Sequence, residues 1–212
     1  VNRFLQILFF ALIVKPIALV VLGLNVRRRN RLPGAGPAVL VANHNSHLDI
    51  LVLMSLYPLG RLRRLRPVAA ADYFLRNRLS VWLATKIIGI LPLDRAAEGE
   101  RNRLTPITEA LEQGQIVILF PEGSRGEPEQ REAFRAGIAH IAKARSDAPI
   151  VPIFIHGLGK ALPRGEALLV PFFCDIFVGK PFFWTGNRKT FMAELEAQMN
   201  TLASEGDFPE WE

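Results

Sequence analysis

Short apolar runs rich in β-branched residues recur along this chain, and a segment of helix length separates each from the next. Ala38–Ala42 (AVLVA), Ile116–Phe120 (IVILF), Ile150–Gly157 (IVPIFIHG) and Cys174–Pro181 (CDIFVGKP) read as strands, with weaker candidates at Pro67–Ala71 (PVAAA) and ILPL. Ala38–Ala42 is apolar throughout and reads as a buried strand. DILVLMSLY, SVWLATKIIG, Arg103–Gly114, Arg131–Arg145 and KTFMAELEAQMNTLA read as helices, with Gly114 stopping the third. Strands that alternate with helices predict an α/β layer fold. The 212 residues suit one domain with an appendage. No internal repeat or low-complexity tract interrupts the pattern.

The appendage is the first thirty residues. Phe4–Leu24 is apolar over nearly the roughly 20 residues that cross a bilayer. Lys15 and Pro16 interrupt it, and RRRNR (Arg27–Arg31) follows. A central lysine is costly in hydrocarbon and proline kinks a helix. Three arrangements fit: a bent helix lying in one leaflet, a single spanning helix, and an amphipathic helix packed on the core. A signal peptide does not fit, because the basic flank is on the wrong side and no small-residue cleavage site follows. The turn-rich RLPGAGP sets the boundary, giving a membrane-associated helical segment at 1–30 and a second domain at 31–212. The net charge of +6 and 50% hydrophobic content point to an anionic membrane surface on the cytoplasmic side. Nucleic acid is excluded as a partner, since the 14 phenylalanines lie in apolar runs and do not interleave with basic residues. The single cysteine, Cys174, rules out an internal disulfide.

Two polar clusters fall where strands end, which is where α/β folds collect their sites. NHNSHLD follows Ala38–Ala42, and PEGSRG follows Ile116–Phe120. His44 and Asp49 are five apart, so one continuous helix would hold them about 140° apart. They meet if His44 lies in the turn and Asp49 in the first helical turn. A carboxylate on one imidazole nitrogen leaves the other free as a base. The pair is alternatively a helix cap and its neighbour, or, with His47, a metal site of a hydrolase. EGSRG lacks the spacing of a nucleophile elbow, so the hydroxyl to be activated belongs to a substrate. Arg125, in a glycine-flanked loop, is either a solvated charge or an oxyanion ligand.

NHNSHLD resembles the Asn-His-x4-Asp signature of the glycerolipid acyltransferases. GILPLDR (Gly89–Arg95), FPEGSRG (Phe120–Gly126) and IVPIFIHG resemble that family's second, third and fourth blocks, and all four occur in family order. The resemblance implies a central mixed β-sheet flanked by helices. It makes His44 the general base and Asp49 its orienting partner. Arg95, Glu122, Gly123, Ser124 and Arg125 would bind the acceptor's phosphate and glycerol. The implied reaction moves an acyl group from a thioester, on coenzyme A or acyl carrier protein, to 1-acylglycerol-3-phosphate, at the cytoplasmic face of the inner membrane and with no metal or other cofactor. His156 stands where the fourth block usually ends in proline, and Ser124 where threonine is commoner. The first departure leaves room for another acceptor, such as a lyso-ornithine lipid or a different lysophospholipid. A metal-dependent hydrolase and a non-catalytic lipid-binding protein are the competing classes. RLRRLR (Arg61–Arg66) reads as a solvated basic face, available to an anionic membrane or an acidic carrier protein.

Overall fold

The computed structural model describes residues 1–46, 48–71, 78–94, 99–123, 133–161, 172–206 and 208. Seven strands form one sheet: β1 (Asn25–Arg27), β2 (Ala38–Ala42), β3 (Leu65–Ala70), β4 (Leu91–Leu93), β5 (Ile116–Leu119), β6 (Ile150–His156) and β7 (Asp175–Val178). Their spatial order is β1-β7-β6-β2-β5-β3-β4. The pairs β6–β2, β2–β5, β5–β3 and β3–β4 are parallel. β7 runs antiparallel to β6 and carries β1 parallel to itself, so the sheet is mixed. The helices are α1 (Arg3–Val21), α2 (Asp49–Ser55), α3 (Arg78–Trp82), α4 (Glu100–Glu112), α5 (Gly137–Ala144), α6 (Leu158–Ala161) and α7 (Arg188–Ser204).

Side chains alternate across each strand and feed two cores. Leu40, Ala42, Ile118, Ile153 and Ile155 face α1 and α2, where Phe10, Val14, Leu22, Val52 and Leu53 meet them. Val39, Val41, Val117 and Phe154 face α4, α5 and α7 through Leu111, Ile138, Phe191 and Leu195. β2 is buried at all five positions because it lies at the centre of the sheet with helices above and below.

α1 joins this packing along one face. Gln6, Phe10, Val14, Ala18 and Leu22 recur every four residues and are buried. The helix continues through Pro16 with π-type turns on either side, Phe10–Val14 and Ile17–Val21. A proline has no N–H to give to the preceding turn, so the local hydrogen-bond register shifts instead of breaking. The opposite face exposes Phe4, Leu8, Leu12, Leu19 and Val20. Residues 1–30, read from sequence as a separate segment, thus supply side chains to the first core and β1 to the sheet.

Of the differences from expectation, three bear on the sheet and the site. β1 lies where only a basic flank is legible. β3 starts at Leu65, two residues early, because Leu65 is buried and pairs with Ile116 of β5. The helix expected over Arg131–Arg145 is α5, which begins at Gly137, while residues 131 and 132 lie outside the described residues. Residues 133–135 are non-helical, and the Arg135 N–H donates to the Pro121 carbonyl at 2.9 Å, which commits it to the loop after β5.

Candidate active site

The polar cluster after β2 is a turn built around one carboxylate oxygen. Asp49 opens α2 and is fully buried. Its Oδ2 accepts from His44 Nδ1 at 2.8 Å, from the Asn45 N–H at 2.8 Å and from the Ser46 N–H at 2.9 Å. Two backbone amides thus converge with the imidazole on one carboxylate oxygen at the start of α2. An ionised acceptor requires Nδ1 to carry the proton in the neutral imidazole, so Nε2 holds the free lone pair. The expected meeting of His44 in the turn and Asp49 in the first helical turn is therefore what the chain adopts. The imidazole stacks on the Phe120 ring at 4.2 Å and keeps 18% of its side chain exposed. Phe120 immediately follows β5, the strand next to β2, and thus ties the two expected clusters to one edge of the sheet.

The remaining polar residues of NHNSHLD hold the turn in place. Asn43 Nδ2 donates to the Ile155 carbonyl at 2.8 Å, and the Ile155 N–H donates to Asn43 Oδ1 at 2.8 Å. An asparagine side chain thereby prolongs the β2–β6 ladder by one pair. Asn45 Nδ2 reaches the same carbonyl at 3.4 Å. Sequence reasoning assigned no role to Asn43. The available signal was a polar amide directly after a fully apolar strand, at a position too close to the core to face water.

On the β5 side, Glu122 is buried and Gly123 has φ +77°, a left-handed conformation that glycine adopts without strain. The Gly123 N–H donates to the Phe120 carbonyl at 3.1 Å, closing a tight turn beside His44. β4 ends at the same edge of the sheet, since it runs parallel to β3 and β3 to β5. Arg95, Ser124 and Arg125 lie outside the described residues, as does His47, on which the metal-site reading depends. His156 pairs with Asp175 of β7 and stacks on Phe208 at 3.6 Å. It sits on the side of Phe154 and Phe177, across the sheet from the side His44 takes with Phe120.

A histidine oriented by a buried aspartate stands at the carboxyl edge of a mixed α/β sheet, the arrangement of a general base. The family model described as Acyltransferase matches residues 23–156, which contain both clusters, and the chain belongs to that family. A chloroplastic 1-acyl-sn-glycerol-3-phosphate acyltransferase of Arabidopsis thaliana is 31% identical over 145 residues, covering 68% of this chain and 38% of the relative. The human 1-acyl-sn-glycerol-3-phosphate acyltransferase alpha is 32% identical over 132 residues, covering 60% and 44%. The chain thus spans less than half the length of these relatives. The 1-acyl-sn-glycerophosphate acyltransferase of Thermotoga maritima superposes with a TM-score of 0.77 at 20% identity, over 99% of this chain and 83% of that one. This last likeness establishes the fold, the expected mixed sheet included.

Proposed function

We propose that the protein transfers a fatty acyl group from an acyl thioester to the free hydroxyl of 1-acylglycerol-3-phosphate, giving phosphatidic acid and a free thiol. The observation that carries the proposal is the His44–Asp49 hydrogen bond, which leaves Nε2 as the base. In this reading both substrates bind before chemistry. Nε2 takes the proton as the acceptor oxygen attacks the thioester carbonyl, and returns it to the departing sulfur when the tetrahedral intermediate collapses. Asp49 stabilises the imidazolium formed in between. General-base assistance contributes roughly 10²–10⁴-fold, and holding the two substrates together contributes much of the rest. No metal ion or other cofactor takes part. The thioester is carried by coenzyme A or acyl carrier protein. Arg95, Glu122, Gly123, Ser124 and Arg125 hold the acceptor's headgroup.

The membrane supplies the acceptor and receives the product. α1 supports this reading, because its exposed apolar face includes Phe4, Leu12, Leu19 and Val20 while its other face is packed into the core. A helix fixed to the domain along its length lies in one leaflet rather than crossing the bilayer. The net charge of +6 suits the anionic cytoplasmic leaflet of the inner membrane.

Thioester release measured with and without lysophosphatidate tests the reaction. Release that requires the acceptor and vanishes in His44→Ala supports transfer. Acceptor-independent release marks a hydrolase, absent release marks a lipid-binding protein, and near-normal turnover in His44→Ala refutes the mechanism.

A further inference from the structure

Arg135 lies twelve residues beyond Gly123, yet its side chain rests directly on that glycine. A Cβ on Gly123 would fall 2.6 Å from Arg135 Nε and 2.8 Å from Cζ. The guanidinium therefore occupies the space a side chain at 123 would fill. The Arg135 N–H to Pro121 carbonyl bond of 2.9 Å anchors the backbone that delivers it. Gly123 in turn closes onto Phe120, the ring that stacks on His44. A cation is thus held against the turn whose Phe120 ring stacks on His44.

Among the described residues no acidic partner accounts for a cation there. Arg135 is exposed, and no carboxylate forms an ion pair with it among the described residues. It lies two residues before α5, whose N-terminus carries positive partial charge and disfavours a cation. An exposed arginine with no ion-pair partner among the described residues has water as its ordinary surroundings. This one folds over a glycine whose missing side chain is the condition for its position.

We propose that Arg135 binds the anionic phosphate of the acceptor, adding a described cation to the headgroup site after β5 and making Gly123 necessary as the platform on which the guanidinium lies. The assignment rests on the acyl-transfer reading and deepens it. A planar guanidinium presents paired N–H groups to two phosphate oxygens, which an ammonium does not reproduce.

Arg135→Gln and Arg135→Lys in the full chain test the assignment, with lysophosphatidate and the matching phosphate-free monoacylglycerol as acceptors. Arg135→Gln is expected to raise the KM for lysophosphatidate roughly tenfold or more, with kcat and the thioester KM within about threefold of the parent. Arg135→Lys falls between the two, and monoacylglycerol kinetics do not change. An unchanged lysophosphatidate KM, or equal losses on both acceptors, overturns the assignment. Glycerol 3-phosphate binding, followed by the thermal midpoint, reads the same contact without catalysis. A ligand-induced rise in the parent that is lost in Arg135→Gln supports the contact, and an equal rise in both, or none in either, refutes it. A parent that binds glycerol 3-phosphate in this manner but transfers no acyl group counts against the reaction and not against Arg135.

Discussion

Asn43 and Ile155 exchange two hydrogen bonds of 2.8 Å each, one in either direction, between a side-chain amide and a backbone peptide. Asn43 lies one residue before His44, and the pair joins the turn that carries His44 to the neighbouring strand. Asn43→Ala leaves the buried Ile155 N–H without its acceptor. An unsatisfied buried group costs about 1–3 kcal/mol, so stability falls by that order. At a temperature where the variant remains folded, kcat is expected to fall well below the parent value, because the turn that carries His44 is no longer pinned. Chemical denaturation and steady-state kinetics measure the two effects. A folded variant with unchanged kcat would separate the pin from catalysis.

Asp49 has two tasks that substitutions separate. In Asp49→Asn the amide oxygen still accepts from the Asn45 and Ser46 N–H groups, but it no longer stabilises an imidazolium. Turnover is expected to fall by roughly 10²–10⁴-fold with the thermal midpoint close to the parent's. Asp49→Ala removes the acceptor from both amides, so it loses stability as well as turnover. Turnover of Asp49→Asn within threefold of the parent would show that the carboxylate is a cap alone.

The two faces of α1 predict opposite phenotypes. Phe4, Leu12 and Leu19 are 72%, 66% and 73% exposed, so replacing all three with serine should leave the thermal midpoint nearly unchanged. Vesicle binding should weaken by roughly a hundredfold or more, since each large apolar side chain contributes about 1.5–3 kcal/mol when fully buried. Phe10 is fully buried, and Phe10→Ala should cost about 3–5 kcal/mol of stability. Co-sedimentation with anionic vesicles and thermal denaturation read the two outcomes. Unchanged vesicle binding in the triple variant would remove α1 as the anchor.

Arg95→Lys and Arg125→Lys are each expected to raise the acceptor KM roughly tenfold, because a lysine keeps the charge and loses the bidentate fork. The thioester KM should change little. Efficient acylation of a zwitterionic lyso-ornithine lipid, with lysophosphatidate left untouched, would reject the phosphate site while leaving acyl transfer in place.

Local order in the sequence determined which segments pair and where chemistry gathers. Continuous β-branched runs marked β2, β5 and β6 because a central strand has no wet face. Polar clusters directly after β2 and β5 marked the cleft because parallel strands end at one edge. The five-residue spacing of His44 and Asp49 required a turn followed by a helix start, and that is how they meet. Tertiary structure decided what spacing does not carry. An apolar segment such as Phe4–Leu24 looks equally suited to hydrocarbon all round, and only contact with the sheet selects Phe10, Val14 and Leu22 for the core and leaves Leu12 and Leu19 outside. Asn43 gains its role from Ile155, 112 residues away. Arg135 leaves the expected helix for the Pro121 carbonyl. Each depends on a partner distant in the chain. Periodicity reports a segment's own faces and cannot report which other segment will cover them.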